Sequence, residues 1–169
     1  INGDLGLDVV VYVGAAHTVS GLTIDAGDTL HVIDGTDFRI ATGLIDNAGL
    51  IEIGSTGGNT YFRPTGGQVT FTGGGTLQFL EGGPNWMYSI SGGWIDNQDH
   101  TIAGQATIGW NNTTIVNGPL GVFIANQTSP MNLDPGGGGF TNEGELRAES
   151  GSTLNLIAGE YFNDGGLIR

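Results

Sequence analysis

Apolar residues along this 169-residue chain come in short bursts. Val9–Val13, Gly21–Ile24, Leu30–Ile33, Leu50–Ile53, Val69–Phe71, Leu77–Leu80, Ala106–Ile108, Val122–Ile124 and Leu154–Ile157 either alternate apolar with polar or run apolar for a few residues. Both patterns predict short β-strands, since side chains alternate faces along a strand. Gly, Asn, Asp or Ser breaks nearly every junction, as turn chemistry requires. No window carries an apolar stripe at helical spacing free of Gly, so helix is not expected.

Two phrases recur at the junctions. One is Asn-x-Gly-x-Leu/Ile, at Asn47–Ile51, Asn142–Leu146 and Asn163–Leu167, the last two 21 residues apart. Asn97-Gln-Asp-His-Thr101 is a degenerate form, and Asn117-Gly-Pro119 a weaker one. The other is Gly-x-Thr-Leu, at Gly27–Leu30, Gly74–Leu77 and Gly151–Leu154. Irregular repeats of ~20–25 residues built from short strands predict a solenoid. The expected fold is all-β, a right-handed parallel β-helix of roughly seven or eight coils. At ~4.8 Å per coil the rod would be roughly 35–40 Å long. Equivalent turns stack in columns, and a stacked Asn can bond through its side-chain amide to the Asn of the next coil. Asn47, Asn97, Asn142 and Asn163 are the expected members of such a ladder. The alternative is a jelly roll or β-sandwich, where Asn-x-Gly is ordinary hairpin chemistry.

Composition narrows the function. Gly accounts for 33 residues without a collagen period, in keeping with many tight turns. Seventeen acidic residues face four basic ones, a net charge of −13, which argues against a nucleic-acid partner. There is no lysine, hence no Schiff-base or Walker-type lysine, and no cysteine, hence no disulfide or thiolate metal site. No apolar run approaches the ~18 residues of a membrane span. The chain begins on Ile1 and ends on Leu167-Ile-Arg169, and joining the end to the start reads as uninterrupted solenoid. A single segment covering 1–169 is therefore expected, a fragment or repeat unit of a longer extracellular chain. Its partners would be tandem neighbours or further copies meeting through the solenoid ends.

The segments 73–79 (GGGTLQF), 94–109 and 131–169 resemble the β-helical stalks of bacterial autotransporter passengers and filamentous-haemagglutinin-like surface adhesins. Asn142, Gly144, Leu146, Ala148, Gly151, Thr153, Leu154 and Leu156 carry the match to their Asn-x-Gly-x-Leu-x-Ala and Gly-x-Thr-Leu-x-Leu phrases. The resemblance implies a secreted structural or adhesive stalk at the cell surface or in an extracellular filament or biofilm matrix. It implies no catalytic residue.

Some chemistry needs weighing against that. A polysaccharide-cleaving or carbohydrate-binding β-helix is the competing class. Asp34, Asp37 and Arg39 lie close in sequence, as do Asp96, Asp99 and His100. Either set would suit a groove, although Asp next to Gly or Asn more often serves a turn. Neither an EF-hand loop nor a nonapeptide calcium repeat occurs; a structural calcium on the abundant acids is the one cofactor entertained. His17, His31 and His100 show no ligand spacing. Trp86 and Tyr88 share a strand face, and with Trp94 and Trp110 form the candidate surface for glycan contact.

Overall fold

The computed structural model describes residues 9–41 and 43–169. The opening of the chain on Ile1, which the joined reading of end and start relies on, lies outside them. The chain winds through coils of three short strands each. In chain order these are β1 (Val10–Val13), β2 (His17–Val19) and β3 (Leu22–Ile24); β4 (Thr29–Val32), β5 (Asp37–Ile40) and β6 (Gly43–Asn47); β7 (Leu50–Ile53), β8 (Thr60–Pro64) and β9 (Gly67–Thr72). Then follow β10 (Thr76–Phe79), β11 (Asn85–Met87) and β12 (Gly93–Asn97); β13 (Thr101–Gly104), β14 (Thr107–Ile108) and β15 (Thr113–Asn117). The last are β16 (Val122–Ala125), β17 (Met131–Leu133) and β18 (Phe140–Asn142); β19 (Glu145–Ala148), β20 (Leu154–Leu156) and β21 (Tyr161–Asn163); and β22 (Leu167–Ile168), which opens a further turn.

Each strand pairs with its counterpart one coil away. The first sheet stacks β1, β4, β7, β10, β13, β16, β19 and β22; the second stacks β2 to β20 and the third β3 to β21, seven strands each. Every pairing among the described residues is parallel. The protein is thus an all-β solenoid of about seven turns, and the antiparallel jelly roll is excluded. Coil length is uneven. Register partners are 19 residues apart from Val10 to Thr29 but 26 from Leu50 to Thr76. The extra residues sit in corners, so the strand ladder keeps its register.

The core is a set of columns. In the first sheet Leu30, Ile51, Leu77, Ile102, Phe123 and Leu146 stand one above another, all buried. In the second sheet Phe38, Phe62, Met87, Ile108 and Leu133 do the same. Burying such side chains contributes about 1.5–3 kcal/mol each. One inward column of the third sheet changes character midway. It runs Leu22, Ile45, Phe71 and then Asn97, Asn117, Asn142, Asn163.

Those four asparagines form a continuous chain of hydrogen bonds. Asn97 Nδ2 donates to Asn117 Oδ1 (2.9 Å), Asn117 Nδ2 to Asn142 Oδ1 (2.8 Å) and Asn142 Nδ2 to Asn163 Oδ1 (2.7 Å). Asn163 Nδ2 ends the run on the Gly166 carbonyl at 2.8 Å. Asn117, read from sequence as only a weak relative of the phrase, is a full member. Asn47 is a correction in the other direction. It lies two residues beyond Ile45, out of the column, and donates to the Thr76 carbonyl while its Oδ1 accepts from Gly49 N–H. The physical reason is that Phe71 stands above Ile45 while Gly73, two residues on, lies against Asn47, so no amide stands above Asn47 to receive its bond.

The glycine just before β10, β16 and β22 follows from this arrangement. A Cβ on Gly75 would lie 2.7 Å from Asn47 Nδ2, on Gly121 2.7 Å from Asn97 Nδ2, and on Gly166 2.2 Å from Asn142 Nδ2. The Asn of one corner fills the space that a side chain at the next corner would need. Corner four breaks the rule, having His100 at this place. Beneath it stands Phe71 rather than Asn, and the fully buried imidazole packs on the Phe71 ring with centroids 5.4 Å apart.

Burial pulls the His100 pKa below its ordinary 6.5, against the opposing pull of Asp99 and, more weakly, Asp46. A base with a depressed folded pKa binds fewer protons folded than unfolded. Its contribution to stability is complete above about pH 6.5 and is lost as the pH falls through the folded pKa. Denaturation midpoints measured from pH 8 down to pH 5 (about the range over which imidazole titrates) should therefore fall further for the native protein than for His100→Phe. Equal slopes would remove His100 from the account.

Candidate functional site

The outward side of the second sheet gathers the aromatic residues. Strand alternation sends Asp37, Tyr61, Trp86, Thr107, Asn132 and Asn155 into one outward column. Arg39 and Arg63 are paired in the next, and Tyr88 follows Met87, the register partner of Phe62, and so continues their line. Trp110 joins from the turn after β14.

At the lower end sits an ion-pair hub. Asp37 accepts from Arg39 Nε at 2.9 Å and Nη2 at 2.5 Å, and from Arg63 Nε at 2.9 Å and Nη2. Partial burial alone would raise the Asp37 pKa; the hydrogen bonds from Arg63 and Arg39 outweigh it and hold the carboxyl below its ordinary value. Arg63 Nη1 donates to Tyr88 OH at 2.8 Å, and its guanidinium lies 4.2 Å from the Tyr61 ring centre. Every nitrogen of Arg63 therefore has a partner. The cation fixes two tyrosines rather than presenting a free fork.

Above the hub the rings enclose a cleft of about 170 Å³ lined by Asn59, Tyr61, Trp86, Tyr88 and Trp110. Trp86 and Trp110 meet edge to face, 4.4 Å between centroids and 83° between planes. Trp86 Nε1 donates to Asn59 Oδ1 at 3.1 Å. Trp110 is half exposed, and its backbone, like that of Asn111, is left-handed at φ 51°. Such a conformation is uncommon outside glycine and strained for a bulky residue. Asn111 N–H on the Asp134 carbonyl (2.8 Å) and Asn112 N–H on the Gly109 carbonyl (3.2 Å) hold the turn in place.

The structure thus brings together three of the four aromatic residues singled out from sequence. Trp94 is the exception. It points outward from β12 on the third sheet, in register with Gln68 and Thr114, and its strand belongs to a different face. Sequence reasoning missed Tyr61 and Asn59 as partners of Trp86, and Arg63 as the partner of Tyr88. They lie a full coil away in the chain, and only the register Tyr61↔Trp86 shows the juxtaposition.

The carboxylates considered for catalysis are occupied elsewhere. Asp34 accepts from Thr56 N, Thr56 Oγ1 and Gly58 N at 3.0–3.1 Å, which holds its pKa below the ordinary value. Asp99 accepts from Gly73 N at 3.3 Å and Gly74 N at 3.1 Å, and Asp96 from Gln68 Nε2 at 2.9 Å. Among the described residues no group of three or more His, Asp or Glu side chains gathers as a metal would need. No described helix is long and apolar enough to cross a membrane. The chain matches no known protein family, no curated protein and no solved structure.

Proposed function

We propose that this chain is a non-catalytic structural segment, a β-solenoid stalk or fibre element of an extracellular protein of the surface-adhesin kind. The observation that carries the reading is the unbroken parallel stack. All three sheets run through successive coils in constant register, so interior strands are paired on both sides. A rod of this kind resists unfolding because each coil is a template for its neighbour. The carboxylates engaged in turns favour this reading over a hydrolase. The resemblance of 131–169 to adhesin stalks supports the extracellular setting.

At the β20–β22 layer Leu156, Ile157, Phe162, Leu167 and Ile168 are exposed. A further coil stacked on this layer, from the same polypeptide or another copy, would cover them and lengthen the rod. Electron microscopy and fibre diffraction of the protein as its source produces it test the proposal. Elongated rods or fibres with a ~4.8 Å axial repeat are expected. Isolated compact particles would overturn the fibre reading.

A further inference from the structure

We propose that the cleft lined by Asn59, Tyr61, Trp86, Tyr88 and Trp110 is a binding site for one pyranose ring of a neutral glycan. The site stands beside the structural role and does not rest on it. Tyr61, Trp86 and Trp110 come from three successive coils and so span about 10 Å along the axis at the inter-strand spacing. A sugar ring presents a flat array of C–H groups on its faces and hydroxyls around its edge. The two perpendicular indoles offer a floor and a wall for such a ring. Polar atoms stand at the rim where hydroxyls would reach. Asn59 supplies an amide, and Tyr88 supplies a phenol already oriented by Arg63.

Charge chooses the neutral ligand. Arg63 has its Nε/Nη2 edge on Asp37 and Nη1 on Tyr88, so its side-on fork is taken and its charge is already paired before a sugar carboxylate or sulfate could reach it. The chain's net charge of −13 repels a polyanion at longer range. The cleft, at about 170 Å³, suits a single ring with the rest of the glycan running over the surface.

Trp110 is the discriminating residue. A bulky side chain in a left-handed turn works against stability, and glycine would relieve the strain. Keeping tryptophan here fits a surface used for contact. If its role were packing alone, glycine would remove that packing and lower the melting temperature.

The test titrates the whole chain with cellohexaose, maltohexaose, laminarihexaose and chitohexaose, read by tryptophan fluorescence and calorimetry. At least one should give a saturable shift. Trp110→Gly should weaken that binding by at least about tenfold, with a melting temperature equal to or above that of the native chain. Trp94→Ala, on the other face, should bind unchanged. The proposal is overturned if all four sugars fail at millimolar concentration, or if Trp110→Gly binds normally. It is equally overturned if Trp110→Gly loses binding together with thermal stability. None of these outcomes alters the axial repeat by which the stalk reading is judged.

Discussion

Asn117→Ala should lower the unfolding free energy by about 2–4 kcal/mol. Asn117 is fully buried and has bonds in both directions, accepting from Asn97 and donating to Asn142. Alanine removes both partners at once. Asn97 Nδ2 keeps only the His100 carbonyl at 3.0 Å, and Asn142 Oδ1 loses its donor in a space that water cannot readily enter. Each buried group left unsatisfied costs about 1–3 kcal/mol, more than a typical net hydrogen bond contributes. Asn155→Ala is the control. Its amide also bonds to an Asn one coil away, Asn132 at 2.9 Å, but on the exposed outer side of the second sheet. There water replaces the partner, and the loss should stay within about 0.5 kcal/mol. Denaturant unfolding of both variants checks the pair; similar losses at the two sites would mean that burial is not what gives the ladder its weight.

The second large effect is expected at Gly144→Ala, about 2–3 kcal/mol. The added Cβ would lie 2.2 Å from the Gly121 carbonyl oxygen, 2.4 Å from that of Gly118 and 2.9 Å from Asn117 Nδ2. The first two are backbone atoms of the coil below, already committed to the ladder, so neither can move without spreading the coils. Gly137→Ala puts the same methyl group where nothing lies within 4 Å, and should change stability by no more than about 0.5 kcal/mol. Thermal melts of the two alanine variants side by side give the comparison. A neutral Gly144→Ala would show that the corner can open by about an ångström without penalty.

The contrast between these glycines bears on how far sequence could lead. The Asn-x-Gly-x-Leu phrase at Asn142 and Asn163 pointed to a stacked corner because both its residues are dictated by the stack. Asn takes part in the inter-coil bond, and Gly144 leaves room for Asn117 beneath, as Gly166, one residue beyond the phrase's own glycine, does for Asn142. Asn117 was hard to place because Gly118-Pro119-Leu120 lengthens its corner and separates Asn117 from Gly121. Asn47 misled for the opposite reason. Its local phrase is intact, but a ladder also needs an amide above, and coil three sets Gly73 against Asn47. The aromatic cleft was half visible. Trp86 and Tyr88 are two residues apart at the end of β11, so alternation alone placed them on one face. Tyr61 and Trp110 entered through inter-coil register, and register cannot be counted from sequence when coil length varies between 19 and 26 residues. Trp94 shows the same limit: eight residues from Trp86, it turns a corner and faces another way.

That unevenness of coil length has a consequence for how such a protein can change. The strand ladder repeats with one spacing, while all variation in length is confined to corners such as 54–59, 80–84 and 134–139. Lengthening a flexible corner carries only a logarithmic entropy cost, about 0.6 kcal/mol for each doubling. The molecule is therefore built like a shelf. Its uprights are fixed by the core columns, and open corner positions such as Gly137, with nothing within 4 Å, are where added residues meet no neighbour. A rod of this type can renew what it displays to its surroundings while the axis beneath stays the same.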